Sequence, residues 1–380
     1  LNMNFIYHNI EHKEKSTAFN NVSMKFRDIE IDSLTQYDTT RFLYAKDALI
    51  YLYDYSFHTP DSLYIAKADS LTLHAAQRML NVKGLYLIPR GNNKEFSNKL
   101  KYYKDRYDIK FESSSFKDID WYNLFLGESF TANKAEFNNG DMKVYADKNI
   151  PPSTKSKIGN YPHQLLMRLS FPTAVDTILV KNFKFTYTEL NPKSEKTGDI
   201  VFDDIDATIT NVTNIPEKIA INKIVKLSAT SKLMSKGNFD AVFTFDLTKA
   251  KSGDFTVDAN LGPMDGTYLN EAAKPLGLFE INSVSIKNLN THIQGNNYSA
   301  HGSVYLVYDD LKITALKPDD SNKLKRRGFL SFIANTFIIN KSNSKADAKQ
   351  EYSSFKRDPE RSFFYLIWKT LLTGIKQTVS

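Results

Sequence analysis

Apolar and polar residues alternate with a period of two over much of this chain, and the alternation restricts the fold more than any other feature. The clearest case is residues 238–261, where Phe239, Phe243 and Phe245 alternate with polar residues; Phe255 and Val257 continue the pattern after a turn-like stretch. Successive side chains of a β-strand point to opposite faces. The segment is therefore predicted to be a hairpin with these five side chains on one apolar face.

A second pattern recurs, in which two alternating apolar pairs are separated by two polar residues instead of one. Phe183 and Phe185 follow Ile178 and Val180 in this way, and similar units occur within residues 24–31, 200–209, 284–293 and 306–315. The extra residue would turn the later side chains to the opposite face of a regular strand. A β-bulge absorbs one residue and keeps the set on one face; a tight turn that begins a new strand is the alternative.

The composition favours strands and a sizeable core. Phe (26) and Tyr (21) are abundant, hydrophobic residues make up 41% and charged residues 24%, which is typical of a folded protein. The absence of cysteine excludes disulfides and thiolate sites. We expect a mainly β fold: an elongated, curved antiparallel sheet of repeated amphipathic strands with a groove-like face, and few short helices.

The pattern also predicts how the chain is divided. A β-rich N-terminal region covers residues 1–147, a proline-containing joint covers 148–162, and a C-terminal β-domain covers 163–320. Residues 321–380 form a basic tail with a polar linker over 340–359 and a terminal helix. This tail contains twelve basic and four acidic residues, so the rest of the chain is close to neutral although the formal net charge is +7. Such a tail is expected to meet an anionic surface.

The last segment, residues 361–379, is amphipathic with helical spacing. Its apolar side holds Phe364, Ile367, Trp368, Leu371, Leu372 and Ile375, and its polar side holds Lys369 and Lys376. This pattern predicts a helix that contacts a membrane interface or a protein partner. Binding to nucleic acid is the rival interpretation for a basic tail with aromatics, and the block Phe363–Trp368 favours the membrane. A third interpretation is that the helix caps the open end of the β-body.

Several segments together resemble the AsmA-like proteins of the bacterial envelope, in the form common in Bacteroidetes. They are MKVYADK (142–148), YPHQLLMRL (161–169), DTILVKNFKFTYTEL (176–190), GDIVFDDIDATITNVTN (198–214), LGPMDGTYLNEAAKPLG (261–277), GSVYLVYDDLKITALK (302–317) and FFYLIWKTLLTGIKQTV (363–379). The resemblance covers about the C-terminal two-thirds of the chain. Its motifs are structural patterns and include no catalytic signature.

This resemblance implies a β-rich body in the periplasm, held at the inner membrane by an N-terminal helix. We therefore expect periplasmic localisation, with an anchoring segment that is absent from this sequence. The wider group is similar to bridge-like lipid transfer proteins, whose curved sheets line a hydrophobic groove. We accordingly predict a protein without enzymatic activity that binds or guides lipid or supports outer-membrane assembly. The alternatives are an interaction subunit of a larger envelope complex without lipid transfer, and an envelope glycosidase or adhesin.

The sequence contains no convincing catalytic or metal-binding pattern. The pairs Asp203-Asp204 and Asp309-Asp310 occupy the same position of the repeated strand unit, where other copies carry Lys-Asn or Arg-Asp. They therefore predict strand breaks, because a catalytic carboxylate pair needs one site with matched geometry. We expect no catalytic residue, no metal site, no cofactor and no nucleic-acid partner. Whether the apolar face is an open groove or a filled core stays open at this point, because alternation is the same in both.

Overall fold

The computed structural model describes residues 5–8, 16–318, 324–326, 340–344 and 348–380. Strands hold 56% of these described residues and helices 17%, and the strands form one curved, unclosed sheet. The prediction of a mainly β fold with few short helices and a C-terminal helix is thereby confirmed. The strands are β1 (Phe5–His8), β2 (Ser16–Ile29), β3 (Ala45–His58), β4 (Tyr64–His74), β5 (Met79–Pro89), β6 (Arg106–Lys117), β7 (Phe130–Asp147), β8 (Thr173–Asn191), β9 (Lys196–Thr213), β10 (Ile224–Leu233), β11 (Gly237–Asp246), β12 (Phe255–Leu261), β13 (Met264–Asp265), β14 (Phe279–Gly295), β15 (Ser299–Pro318), β16 (Leu324–Arg326) and β17 (Gln350–Lys356).

Neighbours in the sheet follow the order of the chain. Each strand from β1 to β11 pairs with the next; β12 and β13 both pair with β14, and β15 pairs with β14, β16 and β17. The pairs are antiparallel except β7 and β8, which are parallel from Phe130–Thr173 to Asp147–Leu190. The predicted antiparallel sheet is therefore a mixed one. It continues across the predicted joint, and the predicted linker contains β17.

The helices are short except for the last one. They are α1 (Asn93–Asn98), α2 (Trp121–Phe125), α3 (Pro162–Met167), α4 (Pro216–Ile221), α5 (Asn270–Ala272) and α6 (Phe363–Val379). A 3-10 turn over residues 266–269 precedes α5, and a π turn over residues 273–277 follows it. The first five lie in connections between strands. Trp121 of α2 meets Phe42 edge to face at 5.9 Å, and Phe96 of α1 packs on Tyr64 at 5.5 Å. The short helices therefore cover the ends of the strands.

Left-handed residues interrupt the long strands where the sequence has its two-residue steps. Asp28, Asn182, Asp204 and Asp310 have φ angles between 50° and 54°, and the pairing register of β8 with β9 shifts around Phe183. Asp and Asn adopt this conformation at lower cost than other side chains that carry a Cβ. The predicted bulges are present, and they keep the apolar side chains on one face through the length of each strand.

Several of these interruptions are aligned across neighbouring strands on the polar face. Asn139 of β7 donates a hydrogen bond to Glu112 of β6 at 2.7 Å, and Asn182 of β8 donates one to Asn139 at 2.8 Å. The backbone N–H of Asn182 donates to Asp206 of β9 at 2.9 Å. A continuous polar line thus crosses β6 to β9. Bulges bend the strands that contain them, so the aligned interruptions contribute to the curvature of the sheet.

The opposite face is apolar and continuous. Phe111, Gly140, Phe183 and Ile205 are paired in sequence across β6 to β9, and the rings of Phe111 and Phe183 stack at 5.4 Å over Gly140. A Cβ at Gly140 would lie 2.4 Å from the Phe111 ring and 2.5 Å from the Phe183 ring, so only glycine fits beneath them. The polar face carries ion pairs instead, such as Lys181–Glu136 at 2.9 Å.

The left-handed conformation at Asn182 leads to a stability prediction. Both Asn182→Gly and Asn182→Val remove the hydrogen bond to Asn139, but only valine has a branched Cβ, which clashes in this conformation. We expect the valine variant to be less stable than the glycine variant by about 1–2 kcal/mol. Urea unfolding of both variants measures the difference. Equal stabilities would contradict the assignment of a left-handed bulge at this position.

Candidate apolar binding surface

The middle of the sheet exposes part of its apolar face. We call the apolar face of β3 to β9 the trough, and its floor consists of Leu52, Leu71, Leu85, Phe111, Phe137, Phe183, Phe185 and Phe202. All eight side chains are half-buried. Within the described ranges, the helices contact β3 to β6 at the strand ends and none lies along the middle of these strands. Phe183 and Phe185, predicted for an apolar groove, are therefore on the trough floor.

The C-terminal part of the same face is closed by the chain itself. Phe245, Phe255 and Val257 were also predicted to line a groove, but they are buried at 3–5% exposure. Their neighbours are Tyr161, which precedes α3, and Phe363 at the start of α6, whose ring lies 4.8 Å from that of Phe255. For these three residues the groove prediction is wrong, because side chains distant in sequence form a second layer over them.

Phe239 and Phe243 lie between the open and the closed parts. Both are half-buried. The ring of Phe239 is 5.3 Å from Phe202 on the trough floor, and the ring of Phe243 is 6.5 Å from Phe364 of α6. The apolar surface therefore continues from the trough to the flank of α6.

Helix α6 packs against the sheet through a narrow side made largely of small residues. Its buried residues are Phe363, Leu366, Thr370, Gly374 and Thr378. A Cβ at Gly374 would lie 2.5 Å from Val304 of β15, and Ser353 of β17 donates a hydrogen bond to the Thr370 carbonyl at 2.8 Å. These contacts hold the helix directly on β15 and β17.

Part of the predicted contact side of α6 packs against the sheet, and the rest is exposed to solvent. Ile367, Leu371 and Ile375 pack against the buried clusters of the sheet and are not free for a membrane. Phe364 and Trp368 are 64% and 47% exposed, and Leu372 is half-buried. We call Phe364, Trp368 and Leu372 the outer flank.

The two lysines lie on the remaining side of α6. Lys376 is exposed, and the ammonium of Lys369 lies 5.4 Å from the centre of the Tyr365 ring. Within the described part of the chain, no helix is long and apolar enough to cross a bilayer.

Residues 148–161, which we call the strap, follow the end of β7 and lead to α3, which precedes the start of β8. Tyr103, in the loop before β6, donates its backbone N–H to Pro151 of the strap at 2.9 Å. At the other end Tyr161 is fully buried; its hydroxyl donates to the Asn296 carbonyl at 2.8 Å and accepts a 2.6 Å hydrogen bond from Arg357. Sequence reasoning missed Tyr161 and Arg357, because their partners lie more than a hundred residues away.

His163 of α3 is buried beneath the closed part of the sheet. Its ring stacks on Phe245 at 4.9 Å, and neither ring nitrogen has a hydrogen-bond partner. Burial lowers its pKa to about 4, although the nearby charge of Asp254 opposes this. The imidazole is therefore neutral near pH 7 and serves as an apolar packing element.

The acidic pairs are strand interruptions with lysine partners. Lys184 pairs with Asp203 at 3.0 Å, Lys232 with Asp204 at 2.8 Å and Lys287 with Asp309 at 3.8 Å. Among the described residues, no three His, Asp or Glu side chains are grouped to hold a metal ion.

Two open concavities of about 490 and 500 Å³ lie elsewhere, bordered mainly by polar-face residues of β11 to β15 such as Asp258 and His292. They are separate from the trough, because none of its floor residues lines them.

No protein-family profile matches this chain, and no curated protein matches it either.

The close approach at Gly374 predicts the effect of a single substitution. Gly374→Val places two methyl groups against Val304 and should lift α6 from β15, whereas Gln377→Val adds the same side chain on the exposed side. We expect the first variant to lose about 2–4 kcal/mol of stability and the second less than about 0.5 kcal/mol. Hydrogen exchange of residues 363–379 measures the detachment directly. Unchanged protection in Gly374→Val would contradict the packing described.

The buried imidazole predicts a pH dependence of stability. The unfolded chain binds a proton at His163 below about pH 6.5, and the folded chain does so only near pH 4. Stability is therefore retained above pH 6.5 and falls as the pH drops to 4, with a loss of about 2 kcal/mol between pH 7 and pH 5. Urea unfolding at both pH values should show that the stability of His163→Phe does not fall by this amount between pH 7 and pH 5. An identical loss in the variant would contradict the assignment.

Proposed function

We propose that the chain binds the acyl chains of lipids along the trough and acts without catalysis, guiding lipid or supporting the assembly of a bacterial outer membrane. One observation carries this proposal: a row of half-buried aromatic and aliphatic side chains crosses seven adjacent strands, and the described helices leave its middle uncovered. Monomeric soluble proteins rarely leave a continuous apolar face of this extent to water.

The dimensions of the trough suit an acyl chain. Adjacent strands are about 4.8 Å apart, so β3 to β9 span roughly 29 Å. The hydrocarbon core of a bilayer, which contains two layers of acyl chains, is about 30 Å thick. One extended chain therefore fits along the floor. Each methylene group removed from water stabilises the complex by about 0.8 kcal/mol, which gives a long chain substantial affinity without any polar contact.

The cellular setting belongs to the same proposal. The resemblance of residues 141–317 and 363–379 to AsmA-like envelope proteins supports a periplasmic body near the inner membrane. The outer flank of α6, with Phe364 and Trp368 exposed beside basic residues, supports contact with a membrane surface. In this setting the trough would shield acyl chains from water between two membranes.

A second candidate function is that of an interaction subunit, and one observation favours it. The β2–β3 connection and the end of α2 expose Ile31, Leu34, Phe125 and Leu126 at 51–77%, away from the trough floor. Phe125 contacts Phe42 at 4.6 Å, so its exposed ring adjoins a buried cluster. A protein partner that covers these exposed side chains would explain them without lipid. Under this candidate Phe125→Asp is expected to lose the partner, and neither the variant nor the wild-type protein binds lipid in the trough.

The absence of cysteine permits a direct test of the trough. Phe185→Cys places a thiol on the floor, and Lys184→Cys places one on the polar face one residue earlier. Each variant is labelled with an environment-sensitive fluorophore and mixed with phosphatidylcholine vesicles. We expect a blue shift from the floor label, because acyl chains displace water there, and no shift from the polar-face label. Equal responses, or no response from the floor label, would contradict lipid binding in the trough.

A further inference from the structure

Four cationic side chains converge where the strap meets the start of α6. Lys148 and Lys157 belong to the strap, and Arg357 and Arg361 belong to the turn before α6. The backbone N–H of Lys157 donates to the Pro359 carbonyl at 2.6 Å, and its ammonium lies 5.9 Å from the centre of the Tyr103 ring. The strap thus brings its two lysines to the same place as the two arginines.

Arg357 is the most deeply buried of these cations. It is 5% exposed, and its guanidinium lies over the Tyr161 ring at 4.4 Å. It donates to the Tyr161 hydroxyl at 2.6 Å and to the carbonyls of Lys157 and Arg361 at 3.1 and 3.3 Å. Its Nε has no partner, and no ion pair joins it to a carboxylate within the described segments. A buried guanidinium without a counter-charge favours an anion nearby.

Two of the four cations form ion pairs with carboxylates. Asp358 lies 3.6 Å from Arg361, and Glu189 lies 3.7 Å from Lys148 while accepting a hydrogen bond from Tyr187. Asp105 accepts one from Tyr103. Burial lowers the pKa of Lys148; Glu189 and Asp105 act in the opposite direction, and Arg361 and Lys157 lower it further. Lys157 and Arg357, in contrast, have no carboxylate ion-pair partner among the residues that the structure describes.

The N-terminus of α6 adds to this positive potential. The helix has 17 residues, and its first turn contains no acidic residue. Ser362 caps only the N–H of Tyr365, at 3.3 Å. The positive end of the helix dipole attracts anions, and phosphate groups bind at such ends.

An apolar path leads away from the same point. Phe364 and Trp368 of the outer flank follow the N-terminus of α6 within two turns, and Phe364 contacts Phe243, which adjoins the trough. A ligand that fits both features has an anionic head and an apolar tail.

We propose that the head group of a phosphate-bearing anionic lipid binds at the N-terminus of α6, against Lys148, Lys157 and Arg361, with its acyl chain along the outer flank toward Phe243. The proposal rests on the proposed function, because it names the lipid class that the trough receives. The phosphate oxygens accept hydrogen bonds from the ammonium and guanidinium groups, which are stronger than neutral ones.

Titration calorimetry of the full chain tests this site with three probes: dihexanoyl phosphatidic acid, dihexanoyl phosphatidylcholine and inorganic phosphate. We expect the phosphatidic acid to bind at least about tenfold more tightly than the phosphatidylcholine, and inorganic phosphate more weakly than either. Lys157→Gln/Arg361→Gln should abolish the preference by weakening the binding of phosphatidic acid more than that of phosphatidylcholine. Lys376→Gln, which removes one charge from the exposed side of α6, should preserve the preference.

Each other outcome overturns a defined part of the account. Equal affinity for the two lipids, or a preference that survives in the double variant, overturns the head-group site while the trough function stands. Inorganic phosphate that binds as tightly as the phosphatidic acid overturns the lipid as ligand. Failure of both lipids to bind overturns the proposed function itself. Circular dichroism of the double variant establishes that its fold is retained, and single Arg361→Gln replaces it where it is not.

Discussion

The structure depends on keeping the apolar side chains of its long strands on one face over 14 to 20 residues. A regular strand of that length twists, and one extra residue in its middle would direct the apolar side chains that follow to the solvent-exposed face. Left-handed Asp and Asn residues remove this conflict in mid-strand, and their polar groups bond to one another or to lysine on the outer face. The consequence is an apolar surface that includes the trough and continues through Phe239 to the closed C-terminal part.

The two halves of the molecule differ in what covers that surface. In the C-terminal half, Tyr161, Phe363 and Leu366 form a second layer, and the small residues of α6 allow the helix to approach β15 closely. In the N-terminal half the described helices cover only the strand ends, so the floor remains half-buried. A single sheet thus combines a folded core, which supplies stability, with an apolar surface that is available for binding.

Local sequence patterns predicted the strands and helices of the fold, but they do not specify contacts between residues distant in sequence. The alternation at Phe239 to Val257 and the two-residue steps at Asn182 and Asp204 depend only on neighbouring residues, so the strands and bulges could be predicted. The parallel pairing of β7 with β8 depends on the path of the strap, which no local pattern specifies.

The site was predicted less completely for the same reason. Phe245 and Phe255 have the same alternation as Phe183, and the distant residues Tyr161, His163 and Phe363 make them core. The contact side of α6 was misassigned in part because bulky residues dominate its amphipathic pattern, whereas Thr370, Gly374 and Thr378 make the closest contacts. Arg357 and Tyr161 are 196 residues apart, and neither has a local signal.

The central claim is that acyl chains, rather than the protein's own side chains, complete the trough. Native mass spectrometry of the full chain, purified without detergent from bacterial cells, measures this most directly. We predict folded protein with co-purified glycerolipid, released by organic extraction and reduced when Phe183 and Phe185 are replaced by glutamine. Folded wild-type protein at its bare sequence mass, with no lipid in the extract, would contradict the account.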